Sequence, residues 1–158
     1  MTVHLAKIAF GIASILLIAG QLVFAQDSVP IKITGAWTLS EVPERLVPVE
    51  FSGEGTGTQL GKWACFGELV FDEGKLPGEV VGVGIVVFEA ADGDLLVGEV
   101  ATRIGADGVG QLDLHWVNTA VLSDGTEVET TGRFLNRRFG GAKILTLQQG
   151  LTHVLTGK

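Results

Sequence analysis

Three times in the second half of the chain, an Asp-Gly pair interrupts a run of β-favouring residues. The turns are Ala91-Asp92-Gly93, Ala106-Asp107-Gly108 and Ser123-Asp124-Gly125. Tight hairpin turns require positive φ, which glycine adopts without steric cost and aspartate tolerates. Asp-Gly between alternating apolar residues therefore predicts one hairpin after another, and Asn136–Gly141 adds a further turn signal. Between these breaks the chain is rich in Gly, Thr and Val, a composition that disfavours helix.

This spacing predicts strands over about 31–39, 46–53, 58–72, 80–90, 94–104, 110–122, 126–135 and 142–156. Several carry the period-two alternation of a sheet with one dry face. Ile31, Ile33, Trp37 and Leu39 oppose Lys32, Thr34 and Thr38; Trp63, Cys65, Leu69 and Phe71 oppose Lys62 and Glu68. Leu96, Val100 and Ile104 oppose Glu99 and Arg103, and Val128 and Phe134 oppose Glu127, Glu129 and Arg133. Leu112, Leu114, Trp116, Ala120 and Leu122 oppose Gln111, Asp113 and His115. About eight hairpin-linked strands hide their edges by closing, so the fold class is all-β. The expected architecture is an eight-stranded antiparallel up-and-down barrel with no long crossover.

The N-terminus has a different character. Met1–Lys7 holds one cation and no acid; Ile8–Ala25 is almost wholly apolar and ends Val23-Phe24-Ala25 before Gln26-Asp27. That layout predicts a signal helix over 1–25, removed on export, and one barrel domain over 26–158. The expected location is periplasmic or extracellular. Membrane contact is expected through the signal segment alone, if it stays uncleaved.

Eleven basic residues stand against 18 acidic ones, a net charge of −7 that loss of Lys7 makes more negative. Nucleic acid and anionic membranes need clustered cations; Arg137-Arg138 is too small a cluster, so neither is expected as a partner. Cys65 is the single cysteine, which rules out an intramolecular disulfide.

Three segments resemble, in order and spacing, those of small exported bacterial β-barrel proteins. Gly55-Thr56-Gly57-Thr58-Gln59-Leu60-Gly61-Lys62 is similar to an entry segment Ala-Thr-His-Leu-Gly-Arg/Lys. Ala90-Ala91-Asp92-Gly93-Asp94-Leu95-Leu96 is similar to an Ala-Ala-Asn/Asp-Gly-Asp turn, and Arg137-Arg138-Phe139-Gly140-Gly141-Ala142 to a final Gly-Arg-Phe turn. Gln59 replaces a common His and Arg137 a common Gly. The resemblance spans Val47 to Gly150 and implies the architecture of the allene oxide cyclase and dirigent barrels, eight strands around a central cavity. One barrel hosts many activities, so it implies fold far better than function.

No catalytic signature accompanies it. Gly53-x-Gly55-x-Gly57 and Gly82-x-Gly84 precede no predicted helix, so they read as glycines for bulges and curvature rather than phosphate loops. His115 and His153 lie on separate predicted strands without metal-ligand spacing, so no metal and no cofactor is expected. Cys65, between Trp63 and Leu69 on one face, reads as a buried thiol. Asp72-Glu73, and Glu127 with Glu129, read as solvated charges. Asn118 falls in phase with Trp116 on the inward face, where a buried amide needs partners. With Trp63 and Trp116 it forms the candidate wall of a ligand cavity.

The leading expectation is an exported binding or structural module, with a small apolar molecule as the candidate ligand of the binding form. A cyclase or isomerase acting on an apolar substrate inside the barrel is the enzyme alternative. A homo-oligomer subunit is the third, because Val81–Phe88 is apolar on both faces.

Overall fold

The computed structural model describes residues 29–157, so the expected signal helix lies outside the described residues. They form a closed antiparallel barrel of eight strands in the order β1-β10-β9-β6-β5-β4-β3-β2. Its strands are β1 (Ile33–Leu39), β2 (Val49–Gly57), β3 (Gly61–Glu73), β4 (Val80–Ala90), β5 (Leu95–Ile104), β6 (Val109–Val117), β9 (Ala142–Gln149) and β10 (Thr152–Gly157). A separate two-stranded hairpin, β7 (Thr119–Val121) with β8 (Glu127–Glu129), lies outside the closed sheet.

The three Asp-Gly turns are built alike. In each, the glycine has φ between 82° and 89°. Its N–H bonds the carbonyl three residues back: Gly93 to Ala90, Gly108 to Gly105 and Gly125 to Leu122, all at 2.9 Å. In each, the aspartate Oδ1 accepts the N–H two residues on, from Asp94, Val109 or Thr126. One local chemistry is used three times, twice inside the barrel wall and once at the tip of the outer hairpin.

Eight wall strands agree with the expectation, but their identities do not. The predicted strand 142–156 is two strands, split by a turn at Gly150 with φ 63°. No Asp-Gly marks this turn, and Leu145, Leu147, Leu151 and Leu155 keep one alternation through it, although Leu145 and Leu147 are exposed and Leu155 is buried. The predicted strand 126–135 is not in the wall. Its first part is β8; Gly132, at φ 56°, then starts a short 3-10 turn, Gly132–Phe134. The predicted strand 110–122 leaves the wall after Val117. Residues 118–141 therefore form a long connection from β6 to β9, against the expectation of none.

That connection does two jobs. Thr130 and Thr131 hold it to the start of β5: their hydroxyls accept the N–H groups of Val97 and Leu95. Beyond them, Phe134 is buried against the core and packs on Phe139, 5.8 Å between ring centroids. Arg133 fastens this segment to the turns at the same end, with Nε 2.6 Å from Asp92 and a further bond to the Gln59 carbonyl. Val29 bridges Phe139 and completes the closure.

The inward faces form one contiguous core, including Trp37, Phe51, Trp63, Leu69, Phe88 and Leu155. Phe88 is its hub. Trp63 meets it edge-on at 5.1 Å and Trp116 at 5.9 Å; Trp37 lies tilted to it at 6.5 Å and stacks on Phe51 at 4.5 Å. The stacked and edge-on pairs are arrangements that aromatic rings favour.

Glycines make room for this cluster. Trp37 pairs across the sheet with Gly53, Phe51 with Gly67, Trp63 with Gly55, Phe71 with Gly82 and Trp116 with Gly98. A Cβ at Gly55 would stand 2.6 Å from Trp63 Cζ2, one at Gly53 2.7 Å from Trp37 Cδ1, and one at Gly67 2.6 Å from Phe51 Cζ. Each ring sits over a glycine of the neighbouring strand, a cross-strand device that shields backbone and fills volume together. The glycine runs thus serve packing as well as curvature.

Candidate functional site

The expected cavity wall is partly assembled and partly not. Trp63 and Trp116 both reach the interior, where they pack on Phe88. Asn118 does not join them: β6 ends at Val117, and Asn118 is exposed with its backbone carbonyl bonded to Thr130 N–H at 2.8 Å. The alternation that placed it inward stops where the chain turns out of the wall. Trp116 donates its indole N–H to the Gly140 carbonyl at 2.8 Å, which ties the closing segment to the wall. Ala120, Leu122 and Val128 likewise belong to the outer hairpin, half-buried beneath it.

Polar atoms do occur inside. The indole nitrogens of Trp37 and Trp63 and Nε2 of His153 are buried with no partner among the described residues. Trp37 and His153 are direct cross-strand neighbours. Burial pushes the His153 pKa down, so its neutral form is the one that fits the core. Cys65 is buried in the same core, and burial pushes its thiol up to about 12. A thiol so far from ionisation is a poor nucleophile.

The outer wall carries a different feature. β8 contacts β5, while the tip of the hairpin reaches β3. There Ser123 gives both its backbone N–H and its hydroxyl to the carboxylate of Glu68, at 2.5 and 2.6 Å. A carboxylate accepting two such bonds holds its partner more firmly than a neutral acceptor would. Glu68 pairs with Ile85 and Ile85 with Glu99, so the hairpin must cross β4 on its way from β5 to β3. Outward-pointing Val87 and Val97 are fully buried. The second apolar face expected of Val81–Phe88 is thus covered, around Val87, by the chain's own hairpin.

Between the hairpin tip and the outer face of β1, β2 and β3 lies a cleft of about 430 Å³. Phe66, 46% exposed on the outer face of β3, forms its apolar floor, with Leu122 beside it. Hydroxyls of Thr38, Ser40, Ser52 and Ser123 and carboxylates of Glu50, Glu68 and Asp124 complete it. Among the described residues, no Lys, Arg or His lines it.

A second, more open depression of about 630 Å³ lies over the other end of β2–β4. It mixes Glu54 and Glu89 with Lys62 and presents no outward aromatic ring, since Trp63 points inward there. The first cleft is the better-formed site.

Sequence reasoning missed this cleft. Phe66 shares the phase of Lys62 and Glu68, so an aromatic on the wet face was visible in the alternation. Nothing local showed that a hairpin from some 55 positions later would fold over beside it.

Two other pairs are structural. Asp72 bonds Arg45 at 2.7 Å, which holds its carboxyl below the usual range. Glu99 and His115 are cross-strand neighbours on the outer face, and burial raises the first and lowers the second.

Comparison of the chain with family models, with curated proteins and with solved structures gave no match.

Proposed function

We propose that this chain is an exported small-molecule-binding module whose barrel is a packed scaffold and whose ligand sits outside it. The ligand site is the cleft under the hairpin tip. One observation carries this reading: a half-exposed Phe66 floors a concave, hydroxyl-rich hollow held in shape by the Ser123–Glu68 clamp. Ligand sites are concave and combine apolar surface with a few placed polar groups.

Export rests on the leader: a basic start, an apolar run and small residues before Gln26. Sequencing the N-terminus of protein recovered from its producing cells should find Gln26 first, and an intact Met1 start would remove this part.

A closed eight-stranded wall is also what the allene oxide cyclase-type resemblance implies, and that supports a shared architecture without bringing an activity. The cyclase or isomerase alternative needs a ligand-sized lumen. Here Trp37, Trp63, Phe88 and Trp116 occupy the interior, which favours binding on the outer wall.

The test of the binding reading is an amide-resolved NMR titration of the purified chain against a fragment library. Shifts should gather at Ser52, Phe66 and Ser123 and be lost in Phe66→Ala. Shifts gathering instead at Trp63 and Trp116 would move the site into the barrel.

A further inference from the structure

We infer that the cleft takes a small organic ammonium ion, with its hydrocarbon body over Phe66 and its charged head among the carboxylates. This rests on the binding reading above and narrows it. The charge lining the hollow comes from Glu50, Glu68 and Asp124, and none of the described residues that line it is a cation. A phosphate or carboxylate ligand would meet repulsion there and find no basic partner. The chain as a whole carries −7, so its long-range field also draws cations toward the surface.

The three carboxylates are not equivalent. Both oxygens of Glu68 are engaged by Ser123, and one oxygen of Asp124 holds the turn through Thr126 N–H. Glu50 is exposed on β2, beside Ser52 of the same strand face. Glu50, the second oxygen of Asp124 and the hydroxyls of Ser40 and Ser52 are therefore the acceptors an ammonium would use.

A bare metal ion fits less well. Among the described residues no group of three or more ligating side chains gathers, and an exposed aromatic floor contributes nothing to a hard cation's oxygen shell. An organic ammonium uses both halves of the site, since a ring face attracts a cation as well as burying its alkyl surface.

The deciding experiment titrates the purified chain with 2-phenylethylammonium, uncharged 2-phenylethanol and maltose, followed by amide NMR. The ammonium should shift Ser52, Phe66 and Ser123, and bind at least about tenfold more tightly than the alcohol. Phe66→Ala should weaken it about fivefold. Glu50→Gln should weaken it about threefold, and raised salt should weaken it further. Each variant should keep the wild-type amide spectrum elsewhere.

Equal binding of the alcohol, or preferential binding of maltose in the cleft, would overturn the ammonium assignment and leave the binding reading standing. Absence of shifts in the cleft with all three probes would overturn both.

Discussion

The inside of the barrel and the outer wall beneath the hairpin are built from the same strands, yet they differ in nearly every physical respect. Inside, rings close over glycines and meet at Phe88, and polar atoms are few and sealed. Outside, an aromatic lies half in water, among hydroxyls and carboxylates, under a wall that two hydrogen bonds hold in place. The contrast teaches that a barrel can present a concavity on its wall as well as in its hollow. Where aromatic rings occupy the interior, a connection between strands can fold back on the wall and create concavity there.

The sharpest way to break this contrast is at the hub. Phe88→Ala should cost about 3–5 kcal/mol of stability in chemical denaturation, because neighbouring rings cannot collapse into the space. A loss under about 1 kcal/mol would mean that the interior is loose enough to admit a guest. Gly55→Ala should come next, at about 1–3 kcal/mol. The new Cβ would lie 2.6 Å from Trp63 and would collide with the Thr34 carbonyl. Ser123→Ala should cost about 1–2 kcal/mol at most, felt locally. Hydrogen exchange over 119–129 should quicken while the wall strands stay protected.

A pH titration sharpens the comparison from within. His153 has its folded pKa below its ordinary value of 6.5, so the unfolded chain takes up the proton first. Its contribution is fully present above that value, and stability should fall as pH drops through 6.5 and below. His153→Leu should flatten this limb; His115, half-buried on the outer face and also lowered by burial, contributes in the same sense. An unchanged profile in His153→Leu would show that the imidazole is not sealed. Smallest of all, Phe66→Ala should change stability by no more than about 0.5 kcal/mol. A larger loss would make Phe66 part of the scaffold rather than the floor of a site.

Much of the wall was legible from residues alone. The Asp-Gly turns fixed three loops because their geometry depends on neighbouring atoms only, and the alternation put Trp37, Trp63 and Trp116 on inward faces. What escaped was decided by distant contacts. Leaving the wall after Val117 depends on Thr130 and Thr131 competing for the edge of β5. The turn at Gly150 lacks a distinctive pair, so 142–156 read as one strand. Asn118 failed for the same reason as its strand: phase carries information only while the strand continues. The candidate cleft needed both the outward Phe66 and the hairpin tip, and only the first has a local signature.

Cys65 gives the chain a built-in reporter. Its sulfur is shut inside, far from ionising, and it has no second thiol to confuse the signal. A thiol-specific dye should ignore the native molecule and mark a chain only after its wall has come apart. The rate of labelling would then time spontaneous opening directly, with no introduced probe.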